Sequence, residues 1–157
     1  MGFIRLKRVG KEHYAYLVDN EWTSKGPRQR VKKYLGKYLE LAQTQQPLVQ
    51  GMITPGILLA AELKSRGFTD RLNHSELKIS INLKLCTIKQ GKKNVVLGMN
   101  GGFVCGYTLR RLLHHIPVIE VTAGYALARA FSDVGVRVSR ERFVTIYNNA
   151  YKRARAE

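Results

Sequence analysis

The polar and apolar positions near the start of the chain alternate with the period of a β-strand. In residues 3–9 (FIRLKRV), Ile4 and Leu6 fall on one side and Arg5 and Lys7 on the other. This is the pattern of a strand that packs one face on a core. A Gly-Lys step follows and predicts a tight turn.

Two further alternating runs follow, HYAYLV at 13–18 and RQRVKKYL at 28–35. The segment between them, 19–27, is predicted to be a loop, because its Pro27 cannot take part in a central ladder. Together the three runs predict an antiparallel meander with one face too basic to be core. That face is formed by alternate residues of the third strand: Arg28, Arg30, Lys32 and Tyr34.

The middle of the chain predicts a helix and a hairpin. Residues 54–68 are predicted to be helical, with Thr54 as N-cap, Pro55 at the first position and Gly67 just past the end. Alternating Leu and Ile over 76–88 predict a strand, which a turn at 90–94 joins to a partner strand at 95–99.

The last third is predicted to be helical. One short helix would span 107–115 and end at Pro117, a second would run from a Thr122 cap to Phe131 before Gly135, and a third would follow a Ser139 cap.

The predicted fold class is α+β: an N-terminal three-stranded antiparallel β-meander, a central helix and β-hairpin, and a helical C-terminal half. A polar stretch at 43–47 predicts two units. These are a basic β-meander module, 1–42, and an α+β domain with C-terminal helices, 48–157.

The charge of the chain points to a polyanionic partner. The 157 residues include 27 Lys+Arg against 11 Asp+Glu, which gives a formal charge of +16 and a pI near 10.2. Self-repulsion of this size opposes the compact state, and nucleic acid is the partner that most often neutralises it. Residues 1–40 carry ten basic side chains against four acidic ones, and residues 101–157 carry nine against four. The spread indicates a protein surrounded by its partner rather than one with a single basic tail.

Other classes are less well supported by the sequence. Its uncharged apolar stretches are far shorter than the roughly 20 residues that span a bilayer, and its charged N-terminus does not resemble a secretory signal. Cys86 and Cys105 lack the spacing of a metal site and are predicted to be reduced, buried thiols. A cytoplasmic protein without a membrane partner is expected.

Several segments resemble known families. YAYLVDNEWTSKGPRQRVKKYLGK (14–37) resembles the opening of insertion-sequence transposases, over about a quarter of the chain. With 97–113 (LGMNGGFVCGYTLRRLL) and 124–144 (GYALARAFSDVGVRVSRERFV), it also resembles a family of small, basic, uncharacterised archaeal proteins over most of the chain. The archaeal family implies no established activity.

The transposase resemblance does not extend to the chemistry. Those enzymes hold two metal ions with three carboxylates, whereas Asp19, Asp70 and Asp133 are isolated in a short chain. What the resemblance implies is a nucleic-acid-binding β-module. The residues that carry it are Tyr14, Tyr16, Arg28, Arg30, Lys32, Lys33, Tyr34 and Gly36.

The residues of this module support the same interpretation. Alternate Lys and Arg match successive phosphates, and nearby Tyr or Trp22 can stack on an unpaired base. The structural alternative is a solvated sheet face with the tyrosines in the core.

No segment predicts catalysis. The glycine-rich run 97–106 lacks the Gly-Lys-Ser/Thr ending of a P-loop and is predicted to be a structural turn. His114 and His115 are adjacent, so they cannot both face one metal from a helix. We therefore expect no enzyme activity, cofactor or metal; an enzyme, if there were one, would use groups such as His13 or His114.

A second hypothesis is a DNA-binding regulator or transposon-derived binder. Residues 122–155 could form a helix-turn-helix, since Gly135 ends one helix and Ser139 starts the next. Arg140, Arg142 and Lys152 of the last helix could then enter a major groove.

The leading hypothesis is an RNA-binding accessory or structural protein of a ribonucleoprotein. The ribosome is one such particle, and ribosomal RNA and neighbouring ribosomal proteins would then be the partners. The predicted nucleic-acid-binding residues are Arg5, Lys7, Arg8, Tyr14, Tyr16, Trp22, Lys25, Arg28, Arg30, Lys32, Lys33, Tyr34, Lys37, Lys92, Lys93, Arg110, Arg111, Arg140, Arg142, Lys152 and Arg153.

Overall fold

The fold is α+β, as predicted. The computed structural model describes residues 2–114 and 123–156, with side chains for 2–114 and 124–150. The helices described are α1 (Pro55–Lys64), α2 (Gly106–Leu113), α3 (Ala123–Val134) and α4 (Arg140–Ala156). The strands described are β1 (Phe3–Val9), β2 (Glu12–Thr23), β3 (Gly26–Glu40), β4 (Asn73–His74), β5 (Ile79–Asn82), β6 (Thr87–Gln90), β7 (Lys93–Met99) and β8 (Gly102–Val104).

The described strands form one sheet in the order β1-β2-β3-β7-β6-β5-β4, with β8 paired to β7. The antiparallel N-terminal meander is confirmed, and β3 continues the sheet by pairing in parallel with β7. Gly36 permits this junction, because a Cβ there would lie 2.3 Å from the carbonyl oxygen of Asn94. The sheet therefore runs past residue 42, while the division into two domains stays a prediction.

The predicted loop at 19–27 is wrong. β2 continues to Thr23 and β3 begins at Gly26, with Trp22 paired to Pro27. β1 pairs with β2 only up to Val18, and β7 joins β3 only from Lys37. Each strand therefore has a free edge here, where a proline is tolerated.

The predicted single basic face of β3 also needs correction. Two register shifts interrupt its pairing with β2. As a result Tyr34 pairs with Tyr16, whereas Arg28 and Arg30 pair with acidic residues of β2 on the opposite face. Paired residues share a face of the sheet, so Tyr34 does not lie with the arginines.

The predicted single strand over 76–88 is in fact two, β5 and β6, joined by a reversal at 83–86. The Oδ1 atom of Asn82 accepts a hydrogen bond from the backbone N–H of Leu85 at 2.9 Å, and Cys86 has φ +53. Leu85, which the alternating pattern assigns to the strand, lies in this reversal and is exposed. The alternation in the sequence therefore continues beyond the end of β5. The turn within 90–94 and the partner strand β7 are confirmed.

The predicted ends of the helices are largely confirmed. Thr54 Oγ1 accepts from the backbone N–H of Ile57 at 3.2 Å, α3 ends before Gly135 with φ +89, and Ser139 Oγ accepts from the N–H of Arg142. The helical C-terminal half is only partly matched, because β7 and β8 occupy much of 93–104. The predictions for His115, Pro117 and Thr122 lie outside the described residues.

Two apolar clusters hold the fold together. The larger joins the sheet to α1, α2 and α3 through residues such as Leu59, Leu97 and Phe131. The smaller, around Ala15 and Val96, covers one face of the meander, which we call the inner face. Both cysteines are buried free thiols, as predicted.

A buried carboxylate, Glu62 of α1, ties several elements together. It accepts hydrogen bonds from Arg66 at 2.7 Å and from the Arg137 side chain at 3.0 Å through both of its oxygens. Arg137 also donates to the carbonyl oxygen of Thr44. The segment after β3, the first helix and the α3–α4 connection are thereby joined. No described helix is long and apolar enough to cross a membrane.

Candidate nucleic-acid interface

The ends of β2 and β3 form a two-stranded ribbon, residues 19–30, which we call the arm. In the described sheet these residues pair only with each other. Every residue from Pro27 to Tyr34 is exposed, so neither face of β3 is packed here. Trp22, the only tryptophan of the chain, is 82% exposed on the arm. Lys25 lies in the turn at the tip.

Ion pairs cross the arm and its base. Arg30 lies 3.9 Å from Glu21, and Lys32 lies 2.9 Å from Asp19. The hydrogen bond from Lys32 lowers the pKa of Asp19. An exposed pair such as Arg30–Glu21 contributes little to stability. A phosphate group can therefore replace the Glu21 carboxylate at little cost.

The second feature is the side of the meander away from the smaller cluster, which we call the outer face. Three tyrosines meet there, with ring centroids 5.2 Å apart for Tyr16–Tyr34 and 6.3 Å for Tyr14–Tyr34. None of them belongs to the buried core, and Tyr34 is half exposed. Partial burial, followed by the two neighbouring tyrosines, raises the pKa of Tyr34, so its phenol stays neutral and can donate a hydrogen bond.

Basic side chains border these rings. Arg5 pairs with Tyr16, and Lys7 and Lys37 pair with Tyr14 from either side. Lys37 also contacts Glu12 at 3.2 Å. The outer face thus combines aromatic rings with a surplus of positive charge.

A groove crosses the outer face between β1 and β3. Its volume is about 470 Å³, and Tyr16, Val18 and Val31 contribute apolar surface to it. At its edge the guanidinium of Arg5 donates to the side-chain oxygen of Gln29. Val18 is buried, whereas Val31 is 59% exposed. The groove is therefore open and accessible from solvent.

Other predicted residues lie elsewhere. Lys33 and Arg110 line a small cavity together with Asn94. Lys92 and Lys93 are exposed at the N-terminal end of β7. Arg8 is exposed and donates to the carbonyl oxygen of Gly10.

The structure also assigns partners to some predicted helical residues. Arg111 pairs with Asp133 at 3.2 Å and lies over the Tyr107 ring. Arg142 donates to the carbonyl oxygen of Val49 at 2.7 Å, while Arg140 is exposed. The side chains of Lys152 and Arg153 lie outside the described residues.

Sequence reasoning missed Gln29, Val18 and Val31, which complete the groove. Their juxtaposition depends on the strand register, in which Val18 pairs with Val31. Only the alternation of β2, which puts Val18 on the same face as Tyr14 and Tyr16, could have indicated that Val18 lies near these tyrosines. Within 2–114 and 124–150, no three His, Cys, Asp or Glu side chains are grouped as metal ligands.

Comparison of the chain with protein-family models, with curated proteins and with solved structures finds no match in any of the three.

Proposed function

We propose that this chain binds RNA through the arm and the outer face, as an accessory or structural protein of a cytoplasmic ribonucleoprotein such as the ribosome. The observation that carries the proposal is the arm. It extends past the sheet with both faces open, and it presents Arg28 and Arg30 on one face, an exposed Trp22 on the other and Lys25 at the tip. A ribbon with no core beneath it gains stability from a partner that covers it.

RNA is favoured over DNA because of the outer face. RNA is commonly recognised through unpaired bases that stack on aromatic side chains, and three tyrosines stand next to the basic arm. The formal charge of +16, spread over the chain, suits a protein with nucleic acid on several sides. We propose a binding role without catalysis.

The test replaces Lys25, Arg28 and Arg30 by Gln. Exposed substitutions of this kind usually cost under about 0.5 kcal/mol of stability, so the variant should fold. We expect its affinity for structured RNA to fall about tenfold or more at fixed salt. Filter binding measures this effect.

The matched control removes the same charge at the other edge of the sheet. Arg71, Lys78 and Lys84 are exposed near β4 and β5, and their replacement by Gln should leave affinity within about threefold. Equal losses in the two variants would show that total charge, not the arm, is responsible.

The DNA-binding alternative has less support. Arg142 is held by Val49, and the turn between α3 and α4 is buried at Val134, Gly135 and Val136. A loss of binding on Arg140→Gln, with the arm variant unaffected, would favour that alternative.

A further inference from the structure

We infer that the groove on the outer face is a binding site for an unpaired nucleobase, so that the chain prefers single-stranded segments of RNA. The inference rests on the proposed function and specifies its ligand. The arm alone would bind phosphates of paired and unpaired RNA alike, whereas the groove requires a base that is free to enter it.

The groove is large enough for one nucleotide. Its volume of about 470 Å³ lies within the range of about 300–1,000 Å³ typical of small-ligand sites. Tyr16 flanks it, and the Tyr34 ring stands 5.2 Å from that of Tyr16. A base entering from solvent therefore meets the Tyr16 ring and the exposed Val31, with the buried Val18 behind them.

The polar groups of the groove suit a base edge and a phosphate. Gln29 carries both a donor and an acceptor and is held in place by Arg5, an arrangement that can hydrogen-bond the edge of an unstacked base. Lys7 lines the same groove. Its ammonium, together with the Arg5 guanidinium, complements a phosphate group.

Charge complementarity selects this occupant over an apolar peptide. Arg5 and Lys7 lie at the groove on the outer face, and none of the described acidic side chains lines it. An uncharged ligand would not neutralise the positive charge of Arg5 and Lys7. A nucleotide has an aromatic base that can pack on the floor of the groove and a phosphate that can pair with the basic side chains at its rim.

The test compares a fluorescent single-stranded oligouridylate of about twelve nucleotides, a length within the usual site size, with a fully paired RNA duplex of the same length. The first variant, Val31→Glu, places a negative charge in the exposed floor of the groove. Its matched control is Val144→Glu, at an exposed valine of α4.

A second pair of variants tests whether added charge, rather than loss of the groove, explains a fall in affinity. Tyr16→Leu keeps apolar volume but removes the ring, and Tyr125→Leu does the same at a tyrosine of α3 that is 71% exposed. Thermal melting establishes that each variant is folded.

We expect both groove variants to lose about tenfold in affinity for the single strand, as loss of a stacked base implies. Their affinity for the duplex should change less than about threefold, and the two control variants should behave as wild type. Unchanged single-strand affinity in folded Val31→Glu and Tyr16→Leu would overturn the inference.

The inference and the proposed function can fail separately. If the arm variant loses both RNAs while the groove variants lose neither, the arm binds RNA and the groove does not hold a base. If the wild-type protein binds neither RNA, both are wrong.

Discussion

At the scale of single residues, charge serves two opposite purposes in this protein. Arg28 and Arg30 are exposed on the arm, opposite Glu21 and Asp19 of β2, where solvent screens their charge. Glu62 is 1% exposed and neutralised from within by Arg66 and Arg137. Burial alone would raise the pKa of Glu62, but the hydrogen bonds from the two arginines outweigh it and hold this pKa below its ordinary value.

The first prediction concerns this carboxylate. Replacing Glu62 by Gln leaves two arginines without their counter-charge, and breaking a buried pair in this way costs about 3–5 kcal/mol. We expect a loss of that order in the free energy of unfolding at pH 7, measured by urea denaturation. The matched control is Glu76→Gln, at an exposed carboxylate, which should change stability by less than about 0.5 kcal/mol.

The pH dependence of the same variant gives an independent measure. A carboxyl whose pKa is lower in the folded than in the unfolded state stabilises the fold above its unfolded pKa, about 4.3 for Glu. That contribution is lost as pH falls through the folded pKa. The stability of the wild-type protein should therefore fall toward that of Glu62→Gln in acid. A constant difference between them down to about pH 2 would contradict this role of Glu62.

At the scale of elements, the sequence predicted those whose signals are local. β1 and the N-terminus of α1 follow from alternation and from the Thr54-Pro55 cap, and both are confirmed. The continuation of β2 and β3 through 19–27 was not predictable in this way. Asp, Asn and Pro disfavour strands in general. They are accommodated there because no other described strand pairs with residues 19–30.

The candidate site was predictable in its composition but not in its arrangement. The alternation of β2 identified Tyr14 and Tyr16 as neighbours on one face. Register shifts in β3 then decided that Tyr34 joins them and that the arginines do not, and such shifts leave no simple trace in sequence. Arg142, which the sequence places among the residues that could enter a major groove, donates a hydrogen bond to the carbonyl oxygen of Val49 through tertiary packing.

The second prediction concerns the arm as an element. A ribbon exposed on both faces has few apolar contacts to protect its hydrogen bonds, whereas β7 is buried from Val95 to Met99. We expect amides of 19–30 to exchange hydrogen much faster than those of 95–99 in the free protein. Addition of RNA should slow the exchange in the arm. Exchange in the β5–β6 hairpin, at the other edge of the sheet, serves as the internal reference and should not change. Equal protection of the arm and β7 before RNA is added would contradict this account.

At the scale of the whole molecule, the distribution of charge follows the architecture. The buried network around Glu62 joins α1, the α3–α4 connection and the segment after β3. The inner face of the meander packs on the smaller cluster around Ala15, and tyrosines and basic residues lie on the outer face. The arm continues β2 and β3 beyond the rest of the sheet. Six of the 27 basic side chains lie on the arm and the outer face, where the proposed RNA would neutralise them.

The last prediction tests this arrangement through salt. Binding of phosphates releases condensed counterions, so log K falls linearly with log salt by about 0.7 per contact on single strands. The arm and outer face present six basic side chains for such contacts: Arg5, Lys7, Lys25, Arg28, Arg30 and Lys37. A slope of magnitude about 4 is therefore expected for single-stranded RNA in a filter-binding titration. Replacing Lys25, Arg28 and Arg30 by Gln should lower it by about 2, because three of the contacts are removed. The charge-matched change at Arg71, Lys78 and Lys84 should leave the slope as it is, since those residues lie away from the proposed path of the RNA. A flat salt dependence for the wild-type protein would exclude phosphate contacts as the basis of binding, and a slope that falls equally in both variants would exclude the arm as their location.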